Sequence, residues 1–193
     1  ILPSGALTPK NYAWLQAGKV RSLSEEWRGT TLDDLIGSPN EHGKLVLKPV
    51  RGIGGRGIFI IGLQGNSINV NNKTVSVAQA RALLFKLNDY VVTEFVQQGD
   101  FPSSIFPGSV NTIRVLTMSD PDTEEPFVAA AAHRFGSRVS APVDNLHAGG
   151  LSALIDLESG VLSAAAERGE DRLIMHDVHP DTGAQISGRV VPN

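Results

Sequence analysis

Apolar and polar positions are weakly ordered over the first 44 residues and clearly ordered after them. In the first stretch, Thr8–Ala17 is predicted as a short helix with Pro9 at its first position. Thr30 or Thr31 is predicted to cap another over Leu32–Ile36, stopped by Gly37 and Pro39. From Lys44 the texture changes. The apolar run Leu45 to Val50 predicts a strand, a glycine loop follows from Arg51 to Gly57, and Ile58 to Ile61 predicts a second strand. Strand, glycine loop and strand make a β-hairpin. Gly65-Asn66 and Asn71-Asn72 are turn signals around a short strand, Ser67–Val70.

Ser76 is placed to cap a helix over 77–87, with Ala80, Leu83, Leu84 and Leu87 at helical spacing and Asn88 ending it. Tyr90 to Val96 is the next predicted strand. A Pro/Gly/Ser-rich stretch, Phe101–Ser109, reads as a loop. It leads into a strand over Asn111–Thr117, an acidic turn over 119–125 and a strand over Phe127–Phe135. Leu151–Leu157 and Val161–Ala166 form a last predicted pair around a Glu158-Ser159-Gly160 turn. Mainly antiparallel strands with one early helix give an α+β class.

The 193 residues carry 41% hydrophobic and 19% charged positions, ordinary for a globular chain of one or two small domains. A net charge of -3 argues against wholesale nucleic-acid binding. The absence of cysteine excludes disulfides, thiolate metal sites and cysteine nucleophiles. No apolar run reaches the ~18–20 residues that span a bilayer. The start, Ile1 to Gly5, lacks both an initiator Met and the basic and apolar regions of a signal peptide, so the chain reads as a fragment or a processed form.

Candidate chemistry begins at the glycine loop, Gly-x-Gly-Gly-x-Gly-Ile over 52–58. It has no Gly-Lys-Ser/Thr and runs strand to strand, unlike Walker and dinucleotide loops. Glycines at Gly54, Gly55 and Gly57 let backbone N–H groups approach phosphate oxygens, so the hairpin tip reads as a phosphate-covering flap. Lys48, in an otherwise apolar strand, is either a solvated edge lysine or a point charge for those phosphates. Glu94 and Val96 close a strand whose backbone and carboxylate suit an adenine edge and a ribose hydroxyl, although such strands also end in polar residues for no functional reason. Arg114 and Arg134 sit in apolar strands where an unpaired charge is costly; they serve a ligand or an ordinary salt bridge. His176 and His179 with Asp177 and Asp181 lack a strict metal-ligand spacing.

The order of these pieces resembles the ATP-grasp superfamily. Downstream, Asn111 to Arg114, His133-Arg134-Phe135-Gly136, Asp144 to Gly150 and Pro180 to Gly183 resemble its sugar-transfer-associated family, over about residues 45–193. The resemblance implies two small lobes of largely antiparallel sheet with helices, holding ATP between them. It implies that Lys48 contacts ATP phosphates, that Gly54, Gly55 and Gly57 form the flap, and that Glu94 and Val96 hold adenine and ribose. Arg114, Arg134 and Asn145 would be catalytic, and His147, Gly149 and Gly150 would meet substrate. Mg²⁺ would accompany ATP. The implied activity is a cytoplasmic ATP-dependent ligase that activates a small-molecule carboxylate as an acylphosphate for attack by an amine or other nucleophile, linked to polysaccharide or envelope biosynthesis.

The family's late Asp and Glu-x-Asn magnesium ligands are not found before Asn193, and Asp156 lies in a hairpin-turn sequence. The second expectation is therefore a non-catalytic nucleotide-binding or regulatory module. Protein-kinase chemistry is disfavoured, because His-Arg-Asp and Asp-Phe-Gly are absent. The expected organisation is an N-terminal segment over 1–44, a remnant of a preceding domain, a flap lobe over 45–97, and a second lobe over 98–193 that is incomplete at its end.

Overall fold

The computed structural model describes residues 7–25, 27–37, 43–64 and 67–192. The chain divides into two compact units, Ile1–Gln97 and Gln98–Asn193.

The first unit contains β1 (Asn11–Gln16), β2 (Lys19–Ser22), α1 (Leu32–Gly37), β3 (Lys44–Pro49), β4 (Phe59–Gln64), β5 (Ser67–Val70), β6 (Lys73–Val75), α2 (Val77–Lys86) and β7 (Tyr90–Glu94). Its strands form one seven-stranded sheet in the order β2-β1-β7-β3-β4-β5-β6. Every pairing in it is antiparallel. Two of its hairpins close in two residues, and the turn residues Ala17, Gly18, Asn71 and Asn72 all have positive φ, the geometry that matches the strand twist. One sheet face buries Ala13, Leu15, Leu45, Leu47 and Val92 against Leu84 of α2. The capping box of α2 is complete: Ser76 Oγ accepts from Gln79 N at 3.2 Å, and Gln79 Oε1 accepts from Ser76 N at 2.9 Å. Thr31 likewise caps α1, its Oγ1 accepting from Asp34 N at 3.1 Å.

The expected helix over Thr8–Ala17 is instead the strand β1. Ala13 and Leu15 alternate inward, and β7, far along the chain, supplies its hydrogen bonds. β1 and β2 thus take places in the same sheet as the flap hairpin. The turn signal at Gly65-Asn66 and the helix stop at Pro39 lie outside the described residues.

The second unit contains α3 (Asp100–Ile105), β8 (Ile113–Ser119), β9 (Pro126–Phe135), a 3₁₀ turn (Leu146–Ala148), β10 (Leu151–Ile155), β11 (Leu162–Arg168) and β12 (Leu173–His176). Its antiparallel sheet has the order β12-β11-β10-β9-β8. One face buries Phe135, Leu151, Ala153, Leu162 and Ala165 with Ile105 and Ile186. The expected loop over Phe101–Ser109 begins inside α3. Pro102 is tolerated there because it occupies the first turn, where helix N–H groups have no intrahelical partner. Among the described residues, no helix is long and apolar enough to cross a membrane.

Candidate functional site

In the first unit the site is built on the β3–β4 hairpin. Strand alternation sends Leu45 and Leu47 into the core and puts Lys44, Val46 and Lys48 on the second face. Lys48 stands opposite Val91, which stands opposite Trp14, so its ammonium emerges from an apolar row. It is half-buried and has no hydrogen-bond or ion-pair partner among the described residues. Burial pushes its pKa below the ordinary lysine value. A cation held off water without a counter-charge is costly, and an arriving anion relieves that cost.

The strand leads directly into the flap. Gly54, Gly55 and Gly57 have φ of +71°, +77° and +75°, which side chains rarely adopt. At Gly57 a Cβ would also lie 2.8 Å from Tyr90 Oη. Flap side chains project outward, Ile53 being 89% exposed. Arg51 and Arg56 are exposed too and have no acidic partner among the described residues. The sequence reading gave them no role, although three cations and no carboxylate between Lys48 and Arg56 were visible in it.

Glu94 is placed differently from Lys48. In register it stands opposite Leu45, on the core side of the alternation, and its Oε2 accepts from Lys10 N at 3.1 Å. β3 and β7 are therefore adjacent, but these two side chains do not share a face. Val96 is exposed just beyond β7, and Lys44 Nζ lies 4.8 Å from the centre of the Phe95 ring. An open cavity of about 420 Å³ adjoins Lys44, and four of its lining residues, Lys44, Ile60, Gly62 and Asn69, are in register on the Lys48 face.

In the second unit Arg114 and Arg134 share the face opposite the core. Arg114 pairs with Ala132 and Arg134 with Ser152. The two arginines are thus diagonal neighbours across β8 and β9, with Cα atoms about 7–8 Å apart by sheet geometry. Arg114 is exposed and without a partner among the described residues. Arg134 has partners. Its Nε and Nη2 donate to Thr112 Oγ1 at 3.2 and 2.6 Å, and Nη2 lies 3.1 Å from Asp144 Oδ1. Asp144 Oδ2 accepts from Thr112 N at 2.8 Å and from Thr112 Oγ1 at 2.5 Å. The Asp144 carboxylate is nearly buried, with 9% of its side chain exposed against 27% for Arg134. The salt-bridge alternative is thus realised for Arg134, through two residues that the sequence reading quoted only as parts of motifs.

Asp144 also anchors the loop that carries the other expected site residues. Asn145 Oδ1 accepts from His147 N at 2.9 Å and caps the 3₁₀ turn. His147 is exposed. Gly149 has a φ of +96°, and a Cβ at Gly150 would meet the carbonyl oxygens of Asp144 and Phe135 at 2.9 Å. Buried Asn111 fastens the start of this loop. Its Oδ1 accepts from Gly136 N at 2.9 Å, and its Nδ2 donates to Phe106 O at 2.7 Å and Pro102 O at 3.1 Å.

His133, His176 and His179 are structural in their contacts. His179 is fully buried, stacked on Phe106 at 5.0 Å, with Nε2 2.7 Å from Gly136 O and Nδ1 accepting from Asp181 N at 3.2 Å. These partners fix the neutral tautomer with the proton on Nε2. His133 is buried between Phe101 and Phe135, and its Nδ1 has no hydrogen-bond partner among the described residues. Burial lowers its pKa to about 4, against the opposing pull of Asp144. His176 Nε2 lies 2.8 Å from Glu167 Oε2. Asp156 accepts from Ser159 N and Oγ at 2.8 and 2.6 Å, holding its hairpin turn.

The orphan Lys48 charge and the glycine cradle suit a phosphate-bearing ligand. Among the described residues there is no group of three or more His, Asp or Glu side chains that could hold a metal ion.

Residues 4–193 match the family profile described as sugar-transfer associated ATP-grasp. Searches of curated proteins and of solved structures found no match.

Proposed function

Since the chain belongs to the sugar-transfer associated ATP-grasp family, we propose that it is an ATP-dependent ligase that activates a carboxylate as an acylphosphate for attack by an amine or other nucleophile. Membership itself supports ATP binding, ligase-like chemistry and small-molecule substrates. The acylphosphate step rests on the residues below, and a place in polysaccharide or envelope biosynthesis rests on the family description alone. The observation that carries the reading is Lys48, half-buried and without a partner among the described residues, beside a glycine flap.

Bound ATP would supply the transferable phosphoryl group. In this reading Lys48 meets phosphate oxygens as a point charge, and the flap backbone at Gly54, Gly55 and Gly57 covers them. Glu94 and Val96 serve the adenosine end through the β7 terminus; Glu94 Oε2 holds Lys10 N, which leaves Oε1 to accept from a ribose hydroxyl. Arg114 and Arg134 reach the γ-phosphate oxygens of bound ATP and stabilise the further charge that grows on them during transfer, a contribution largest when the donors are already in place. Asn145 shapes the loop that brings Gly149 and Gly150 to substrate. No step is assigned to a metal held by these residues.

A second reading, a nucleotide-binding module without turnover, is favoured by one observation: Asp144 already neutralises Arg134. ADP release separates the two readings. For binding itself, Lys48→Ala should weaken ATP affinity by about tenfold or more, the scale of one charge-assisted contact. Unchanged affinity by calorimetry would remove Lys48 from the site.

A further inference from the structure

We propose that Asp144 and Thr112 are positioning residues for Arg134, pinning one edge of its guanidinium so that the other edge, at Nη1, receives a phosphoryl oxyanion. The inference rests on the role given to Arg134 above and assigns the parts that make that role possible.

Every proton in the cluster has one place. Thr112 N–H donates to Asp144 Oδ2 and fixes the carboxylate to the backbone. The Thr112 hydroxyl has a single hydrogen, which goes to the same oxygen at 2.5 Å. Its lone pairs then receive Arg134 Nε–H and Nη2–H. Nη2 also meets Asp144 Oδ1 at 3.1 Å. The guanidinium is planar, so fixing Nε and Nη2 fixes Nη1 as well. Nη1 has no partner.

Placement agrees. Asp144 is buried at the root of the cluster, whereas Arg134 keeps 27% of its side chain exposed on a face floored by Ala132 and Ser152. The Arg134–Asp144 pair is neutral overall. It therefore contributes directed N–H donors rather than net charge, and these donors cost little ordering when a ligand arrives. Net positive charge on the same face comes from Arg114, which has no partner among the described residues.

The test uses the full chain and calorimetry with two probes, ATP and ADP, with magnesium in both arms. Wild type should prefer ATP. Asp144→Asn and Thr112→Val should each cut the ATP-over-ADP preference by about tenfold, the loss of one well-aimed charged contact. Thr112→Ser, which keeps the hydroxyl and the N–H, should retain it. Arg134→Lys combined with Asp144→Asn should be no worse than Arg134→Lys alone, because both changes break one unit. Lys48→Ala should weaken ATP and ADP together and leave the preference intact. Folding of each variant is checked by far-UV circular dichroism. If Asp144→Asn lowers the melting temperature but keeps the preference, Asp144 is only a structural tie; the inference falls and the ATP reading stands. If wild type binds neither nucleotide, both fall.

Discussion

His133 makes acid stability a quantitative test of the second unit. It is 3% exposed, clamped between Phe101 and Phe135, and its pKa is lowered to about 4. Asp144, the one carboxylate acting on it among the described residues, opposes the shift. The unfolded chain should titrate near 6.5. Between those values the unfolded state binds more protons than the folded one, so stability must fall as pH falls. The loss starts near pH 6.5, reaches about 2 kcal/mol at pH 5, and levels off below pH 4 at about 3 kcal/mol. His133→Phe keeps an aromatic ring in the stack, removes the unpartnered Nδ1 and should abolish this component. Because unsatisfied buried polar atoms cost about 1–3 kcal/mol, the variant should also be more stable at pH 7. Both tryptophans and both tyrosines lie in the first unit, so intrinsic fluorescence would miss the effect. The assay is far-UV circular dichroism in denaturant from pH 4 to 7.5, with the His133 ring proton followed by NMR. A His133 resonance titrating near 6.5, or wild type and His133→Phe losing stability in parallel, would refute the burial account.

Two further outcomes follow from the same geometry. The flap over 51–57 has outward side chains, so its amides should exchange fast without ligand and slow down when ATP and magnesium are added; equal protection in both states would make the flap a structural hairpin only. Asn111→Ala should destabilise the second unit by roughly 3 kcal/mol or more, because it strands the buried Gly136 N–H and two carbonyls together; a loss under about 1 kcal/mol by denaturant melts would show that water replaces the amide.

The sequence was most legible where chemistry is written locally. The flap hairpin, the Ser76 cap and the strands β3 to β5 and β7 to β11 follow from glycine spacing, a capping box and apolar runs, all settled within a few residues of chain, whereas the three-residue β6 is too short to show in the pattern. It misled where local composition and long-range pairing disagree. Asn11–Gln16 carries Ala, Leu and Gln, good helix formers, yet β7 offers a ladder that only the folded chain brings alongside. Asp100–Ile105 shows a proline and two serines, which read as a loop until Pro102 falls in a first helical turn. β12 was missed because its short run, Leu173–His176, pairs only with β11 along an exposed edge.

The sequence by itself determined the kinds of groups in the site: a lysine before a glycine flap, two arginines in apolar strands, and an Asp-Asn-x-x-x-Gly-Gly loop. Tertiary structure alone decided which of those groups already have partners. Lys48 and Glu94 part company because strand alternation puts them on opposite sides of one sheet. Arg134 is neutralised because the loop after β9 returns Asp144 beneath Thr112, while Arg114, its diagonal neighbour, is left without a counter-charge among the described residues. Charge pairing depends on distances of a few ångströms between segments remote in the chain, and those distances are set by the path of the backbone, which residue identity does not encode one position at a time.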